Sequence, residues 1–372
     1  MVKQRILHVY KLYFPDTGGI QTVMRSILSG LKDKFQFEVF VSRICGLGSK
    51  ISVDTIPVQR TLSLGTLLAM PIAPFYIFWF WLKALQNDTV DYHYPFPLVD
   101  LAITLFFPKK TKLIIHWHAD IISQQHALKI VAPLIRRTLK RADKIIVATP
   151  IHIEQSPFLP DYREKCVVVP YAININTWSE LNASEQQEVV SLQQKYPRFI
   201  LAVGRLVPYK GFDVAIKAMQ QVDATLIIVG VGPLENNLRA LAKDYQVENK
   251  IVFWQEASHF QLKCLLHACQ FLVFPSVLQS EAFGMVQLEA MACSKAIINT
   301  ALASGVPWVA RHEKEALTVS VSDSNALAIA IQQLLTDTHL RQRLGQQGYE
   351  RVQKEFAMPL FLEKTAAVYK QE

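Results

Sequence analysis

The sequence predicts an α/β protein built from two parallel sheets, each wound on both faces by helices. Short runs rich in β-branched residues alternate with helical patterns along the chain. Strands that are apolar throughout, not at every second residue, are strands covered on both faces. The alternation halts in a polar stretch at 174–196 and then restarts. At 372 residues the chain exceeds one ordinary core and suits two domains.

In the first half, strands are expected at "RILHVY", "FEVFVS", "KLIIHWH", "KIIVAT" and "CVVVPY". One helix follows Gly19, a second covers part of 66–86, and a third ends near Arg141. In the second half, strands are expected at "RFILAVG", "ATLIIVG", "KIVFW", "CQFLVFPS" and "KAIINT". Met358 to Tyr369 reads as a closing helix with apolar positions at Leu360, Phe361, Ala366 and Val368. The domains are therefore drawn at 1–173 and 174–357, with 358–372 as a final helix.

Composition narrows the function. With 51% hydrophobic and 19% charged residues the chain is globular, not disordered. A formal charge of +8 suits phosphate-bearing partners or an anionic membrane surface. The basic residues are scattered, without zinc-finger spacing or an RNA-recognition aromatic motif, so nucleic acid is not an expected partner. Five cysteines without a Cys-x-x-Cys pair fit a reduced cytosol better than a disulfide framework or a zinc site. The amino terminus reads as a first strand, not a signal peptide.

Thr61 to Leu82, "TLSLGTLLAMPIAPFYIFWFWL", carries no charge and is long enough to span a bilayer. Gly65, Pro71 and Pro74 interrupt it, and a span would put one of two similar halves across the membrane. Two readings remain: a buried helix with an irregular start, or an aromatic surface that dips into the membrane interface.

Ligands of wound sheets bind at the carboxyl ends of the strands, in loops that lead into helices. "FPDTGGI" places Gly18 and Gly19 before a helix, where bare backbone can approach an anion. "GRLVPYKG" sets Arg205 and Lys210 across a turn, a planar fork and a point charge suited to a diphosphate. "VGVGPLENNLR" lacks the third glycine of a dinucleotide fingerprint, where Glu235 stands, and reads as a turn and helix start lining a cleft. "HWHAD" brings His118 and Asp120 to a strand end, expected to face a cleft between the domains. "DYHYPFPLVD" offers His93, Tyr94 and Phe96 to a sugar or lipid acceptor.

The fifth loop is "SEAFGMVQLEAMA". On one continuous helix Glu281 and Glu289 would stand about 12 Å apart and about 80° around the axis, sharing no face. A better division leaves Glu281 in a loop, starts the helix near Gly284 and buries Glu289 inside it. The amides of Phe283, Gly284 and Met285 then form a positive helix end. A capping box at Ser280 fails, because Phe283 stands three residues on. Carboxylate, helix end and carboxylate in line match hexose, diphosphate and ribose of a nucleotide sugar.

Two similar α/β halves, Gly18-Gly19, Arg205 with Lys210, and Glu281-x7-Glu289 resemble the retaining GT-B glycosyltransferases of family 4, the "group 1" glycosyl transferases. "HYPFPLVD" and "IVATPIHIEQSP" look most like the bacterial mannosyl- and glucosyltransferases of lipopolysaccharide core, O-antigen or capsule. The resemblance implies two Rossmann-like domains facing each other across a deep cleft, with the last helix crossing back to the first. It implies a UDP-, GDP- or ADP-sugar donor, an oligosaccharide or lipid-linked acceptor, and no metal or other cofactor. Arg205 and Lys210 would neutralise the leaving diphosphate, Glu281 hold the hexose, Glu289 bind the ribose, and Gly19 approach the diphosphate. His118 would lie by the donor sugar and acceptor, and Trp254 and Gln255 by the base. Such a protein would work in the cytoplasm at the inner face of the membrane. Ala282, Ser294-Lys295-Ala296 and Ala303-Ser304-Gly305 depart from the family pattern, which leaves the donor sugar open. A non-catalytic sugar- or lipid-binding protein and a nicotinamide-dependent oxidoreductase are the rival readings.

Overall fold

The computed structural model describes residues 3–370 apart from 17, 68–69 and 121–124. The chain falls into two compact units, Met1–Pro170 with Phe361–Glu372, and Tyr171–Leu360.

The first unit contains β1 (Arg5–Val9), β2 (Gln36–Val41), β3 (Ser49–Val53), β4 (Ile56–Arg60), β5 (Thr66–Leu67), β6 (Met70–Pro71), β7 (Thr89–Tyr94), β8 (Lys112–Trp117), β9 (Lys144–Val147) and β10 (Cys166–Val168). Eight of these form one sheet in the order β10-β9-β8-β7-β1-β2-β4-β3. All its pairs are parallel except the turn of β3 back onto β4. The five expected strands are present. β7 is an addition: it lies in the segment assigned to an acceptor loop, because Asp91 and His93 break the apolar run that marks a buried strand. β3 lacks an apolar run for the opposite reason: it is an edge strand in which two of five residues are exposed and none is buried.

The two faces of this sheet differ in chemistry. Leu7, Val9, Val90, Tyr92, Leu113 and Ile115 share an apolar face. Packed against it are Tyr76, Phe80 and Ala84 of the helix Tyr76–Gln86, Val99 and Ile103 of Pro97–Phe106, and Ile135 and Leu139 of Gln125–Arg141. Strand alternation turns His8, Asp91, His93 and His116 to the opposite face, and the register pairs His8 with Asp91 and His93 with His116. Tyr369, on the helix Met358–Lys370, covers them.

The stretch 61–82 is neither one helix nor one surface. β5 and β6 pair antiparallel, and the helix begins only at Tyr76. Tyr76, Phe80 and Ala84 enter the core, while Phe75, Phe78, Trp79, Trp81 and Leu85 face outward. Among the described residues no helix is long and apolar enough to cross a membrane.

The second unit has one parallel sheet of β11 (Phe199–Val203), β12 (Thr225–Val229), β13 (Ile251–Trp254), β14 (Leu272–Val273), β15 (Ile297–Thr300) and β16 (Ala316–Val319). Its order is β13-β12-β11-β14-β15-β16. The winding direction reverses between β11 and β14, so the loops after these two strands flank the crevice where such sheets take ligands.

Candidate functional site

In the second unit the reversal brings "GRLVPYKG" and "SEAFGM" together. At Gly204, directly after β11, an added Cβ would come within 3.0 Å of Lys210 Cε. The missing side chain lets Lys210 fold back across the strand end. Pro208 opens the short 3-10 turn Pro208–Lys210 that carries it. Lys210 Nζ ion-pairs with Glu281 Oε2, their side chains only 13% and 10% exposed. The ammonium also lies 5.1 Å from the centre of the Phe274 ring. Ser276 Oγ donates to the same Glu281 oxygen at 3.2 Å. Arg205 is exposed and, among the described residues, has no ion-pair partner.

Glu281 therefore sits in a loop, as expected, and the helix Met285–Ala292 starts at Gly284. Gly284 has φ +79, and a Cβ there would come within 2.7 Å of the Phe274 ring, so only glycine fits. Among the described residues the amides of Phe283, Gly284 and Met285 donate to no acceptor. They remain available to an anion at a helix end. Glu289 stands one turn further in, half-buried, and its carboxyl is hydrogen-bonded to no described residue. Burial pushes it up to about 7. Ala282, the residue that departs from the family pattern, accepts at its carbonyl from the Gly305 amide at 3.0 Å, tying two departing segments together. Trp254 ends β13 half-buried and Gln255 is exposed beyond it.

In the first unit, Gly18 is extended and precedes the helix Gly19–Leu31. A Cβ on Gly19 would meet no described atom within 4 Å, so the helix start is open. His118 lies just past β8, buried. Asp120 accepts from Ser156 Oγ at 2.8 Å, and burial pushes its carboxyl up to about 6.

His93 and Tyr94 are not surface contacts. They belong to β7, between β1 and β8, and both are 0% exposed. Tyr94 stacks on Trp117 with ring centres 3.7 Å apart in the apolar core, and Phe96 is buried there too. A central parallel strand has both faces covered, so neither side chain of the pair reaches an acceptor. His93 instead bonds His118: His93 Nδ1 and His118 Nε2 are 2.9 Å apart. Four residues linked with them, His8, Asp91, His116 and Tyr369, are not among the site residues expected from the sequence. Their signal is period-two spacing, Asp91-x-His93 and His116-x-His118 on neighbouring strands.

Comparison with known proteins follows the same division. Residues 17–177 match the model "Glycosyltransferase Family 4" and residues 184–351 the model "Glycosyl transferases group 1". The chain is 30% identical to D-rhamnosyltransferase WbpZ of Pseudomonas aeruginosa, over 95% of this chain and 92% of that protein. It is 27% identical to O-antigen chain mannosyltransferase C of Escherichia coli, over 98% of each. Among solved structures, sucrose-phosphate synthase from Thermosynechococcus elongatus superposes with a TM-score of 0.80 at 21% identity, covering 99% of both chains. Anabaena Alr3699/HepE in complex with UDP-glucose superposes with a TM-score of 0.77 at 19% identity, covering 98% of this chain and 99% of that one.

Proposed function

The chain belongs to the family 4 glycosyltransferases and has their GT-B fold, and on that premise we propose that it transfers a hexose from a nucleoside diphosphate sugar with retention of anomeric configuration. The acceptor is a saccharide or lipid-linked saccharide of lipopolysaccharide core, O-antigen or capsule, in keeping with the activities named for its relatives. The observation that carries the reading is the Lys210–Glu281 pair beside the open helix end at Gly284, at the reversal of the second sheet.

The barrier is cleavage of the bond to the diphosphate, and the growing negative charge needs fixed positive partners. Arg205, Lys210 and the amides of Phe283, Gly284 and Met285 provide them. When the diphosphate engages Lys210, Glu281 is released to take hexose hydroxyls as hydrogen-bond acceptor. Glu289 takes the ribose hydroxyls, and Trp254 and Gln255 meet the base. The leaving phosphate accepts the acceptor's proton in a front-face substitution, with neither metal nor other cofactor.

The outward aromatic residues give the protein a place to work. Pro74, Ile77, Phe78, Trp81 and Phe106 line an apolar groove of about 470 Å³. With the chain's excess of basic charge, this surface suits peripheral contact with the anionic cytoplasmic face of a membrane.

A thermal-shift screen against UDP-, GDP- and ADP-sugars, followed by assay of the stabilising donor with saccharide acceptors, tests the reading. We expect one nucleotide class to raise the melting temperature, release of its free diphosphate, and a product whose anomeric NMR coupling matches the donor. No stabilisation and no released nucleoside diphosphate from any donor would overturn it.

A further inference from the structure

Between the antiparallel pair β3 and β4 and the helix Tyr76–Gln86 lies a groove of about 590 Å³ that the transfer chemistry above leaves unused. Lys50, Arg60 and Thr61 line it from the strands. Phe75, Trp79 and Lys83, spaced four apart, line it as one stripe of the helix. Among the described residues no acid lines it. Asp16 accepts from Arg60 Nη2 at 3.0 Å and Glu38 ion-pairs with Lys83, both from outside the lining. Lys50 is exposed and, among the described residues, has no ion-pair partner. The strand register sets it opposite Gln59, next to Arg60.

Two polar atoms in this lining are orphaned. Arg60 Nε and Thr61 Oγ1 are buried without a hydrogen-bond partner, and Thr61 is only 5% exposed. A buried donor left unpaired costs more than a typical hydrogen bond returns. A guanidinium N–H, a hydroxyl and an ammonium together suit the oxygens of a phosphate. The aromatic side chains say what carries that phosphate. Phe75 and Trp79 are exposed where they wall the groove, and Phe78 and Trp81 continue outward around the same helix. The Phe78 and Trp79 rings meet edge to face, 5.7 Å between centres. The basic groove and the apolar groove of Phe78 and Trp81 therefore flank one aromatic ridge. A soluble phosphate compound has no use for such a ridge. A lipid does, with its charge in the basic groove and its chains against the rings.

We propose that this groove binds the phosphate head group of a single anionic membrane lipid, with Arg60, Thr61 and Lys50 on the phosphate and Phe75 and Trp79 against the start of the chains. The proposal deepens the membrane contact inferred above and rests on it for the source of the lipid.

The test uses the full-length protein with two probes. Flotation with vesicles of phosphatidylcholine, alone or mixed with phosphatidylglycerol, reads the membrane; calorimetric titration with monomeric dihexanoylphosphatidylglycerol reads the groove. We expect flotation only with the anionic vesicles, and saturable binding of the short-chain lipid. Lys50→Ala should weaken both roughly 5-fold and Thr61→Val roughly 10-fold. The melting temperature of ligand-free Thr61→Val should be equal or higher, because it removes an unpaired buried hydroxyl. Lys243→Ala, which removes one exposed charge from the other unit, should change neither. If Thr61→Val does not fold, Lys50→Ala against Lys243→Ala carries the test. Unchanged binding in Lys50→Ala and Thr61→Val, or an equal loss in Lys243→Ala, would overturn the proposal and leave the membrane reading in place. Glycerol 3-phosphate bound as tightly as the short-chain lipid would overturn it in favour of a soluble phosphate site. Short-chain lipid bound in a Thr61-dependent way, without flotation of the native protein, would support the groove and remove the membrane reading alone.

Discussion

Glu289→Gln should stabilise the ligand-free protein at pH 8 and leave it nearly unchanged at pH 4.5. The carboxyl is half-buried, has no hydrogen-bond partner among the described residues, and is pushed from 4.5 to about 7 by burial. A folded-state value above the unfolded one means that folding favours the protonated form. Stability is then full below pH 4.5 and is lost as pH rises through 7. The full shift corresponds to about 3 kcal/mol above pH 7. Residual solvent contact screens part of that, leaving about 1–2 kcal/mol for an uncharged isostere to recover, roughly 3–6 °C in a unit of this size. Differential scanning calorimetry of both proteins from pH 4.5 to 8 reads the difference directly. The same change should weaken nucleotide binding roughly 10- to 100-fold, because a hydroxyl bonded to a charged acceptor is worth more than one bonded to an amide. A melting temperature at pH 8 that is equal or lower, or a gain that does not vary with pH, would refute the account of Glu289 as an unpartnered buried acid.

The remaining predictions concern the diphosphate site and the outer aromatic surface. Lys210→Ala and Arg205→Ala should each lower kcat by roughly 100-fold or more in folded protein, and near-normal turnover in either would end the diphosphate assignment. Lys210→Ala should in addition lower thermal stability, since it strands Glu281 among mostly buried neighbours, whereas exposed Arg205 should not. Gly284→Ala should cost about 1–3 kcal/mol, from a Cβ at positive φ held against Phe274, and denaturant unfolding checks it. Replacing Phe78, Trp79 and Trp81 with Ser should abolish flotation with anionic liposomes while leaving turnover on a soluble acceptor intact. Equal flotation would show that the exposed aromatics do not dock on the membrane.

Much of the fold was legible because its signals are local. "LIIHW" and "TLIIV" announce doubly covered strands by their own composition, and Gly284 announces the start of a helix that no side chain caps. β7 is not legible in this way, because a strand's burial is set by its neighbours and not by its residues alone. "TVDYHY" looks like a polar loop until β1 and β8 close on either side of it.

By itself the sequence determined the alternating layers, the loops that carry charge and the division of Glu281 from Glu289 by a helix start, all consequences of composition and spacing within one short segment. Only the tertiary structure decided that Lys210 and Glu281 meet as a pair, because that depends on β11 and β14 becoming neighbours in the sheet. It alone also decided that Asp91, His93 and Tyr369 belong to a buried network behind His118. A polar residue takes its chemistry from the partners and the dielectric around it, and for these residues both arrive from distant parts of the chain.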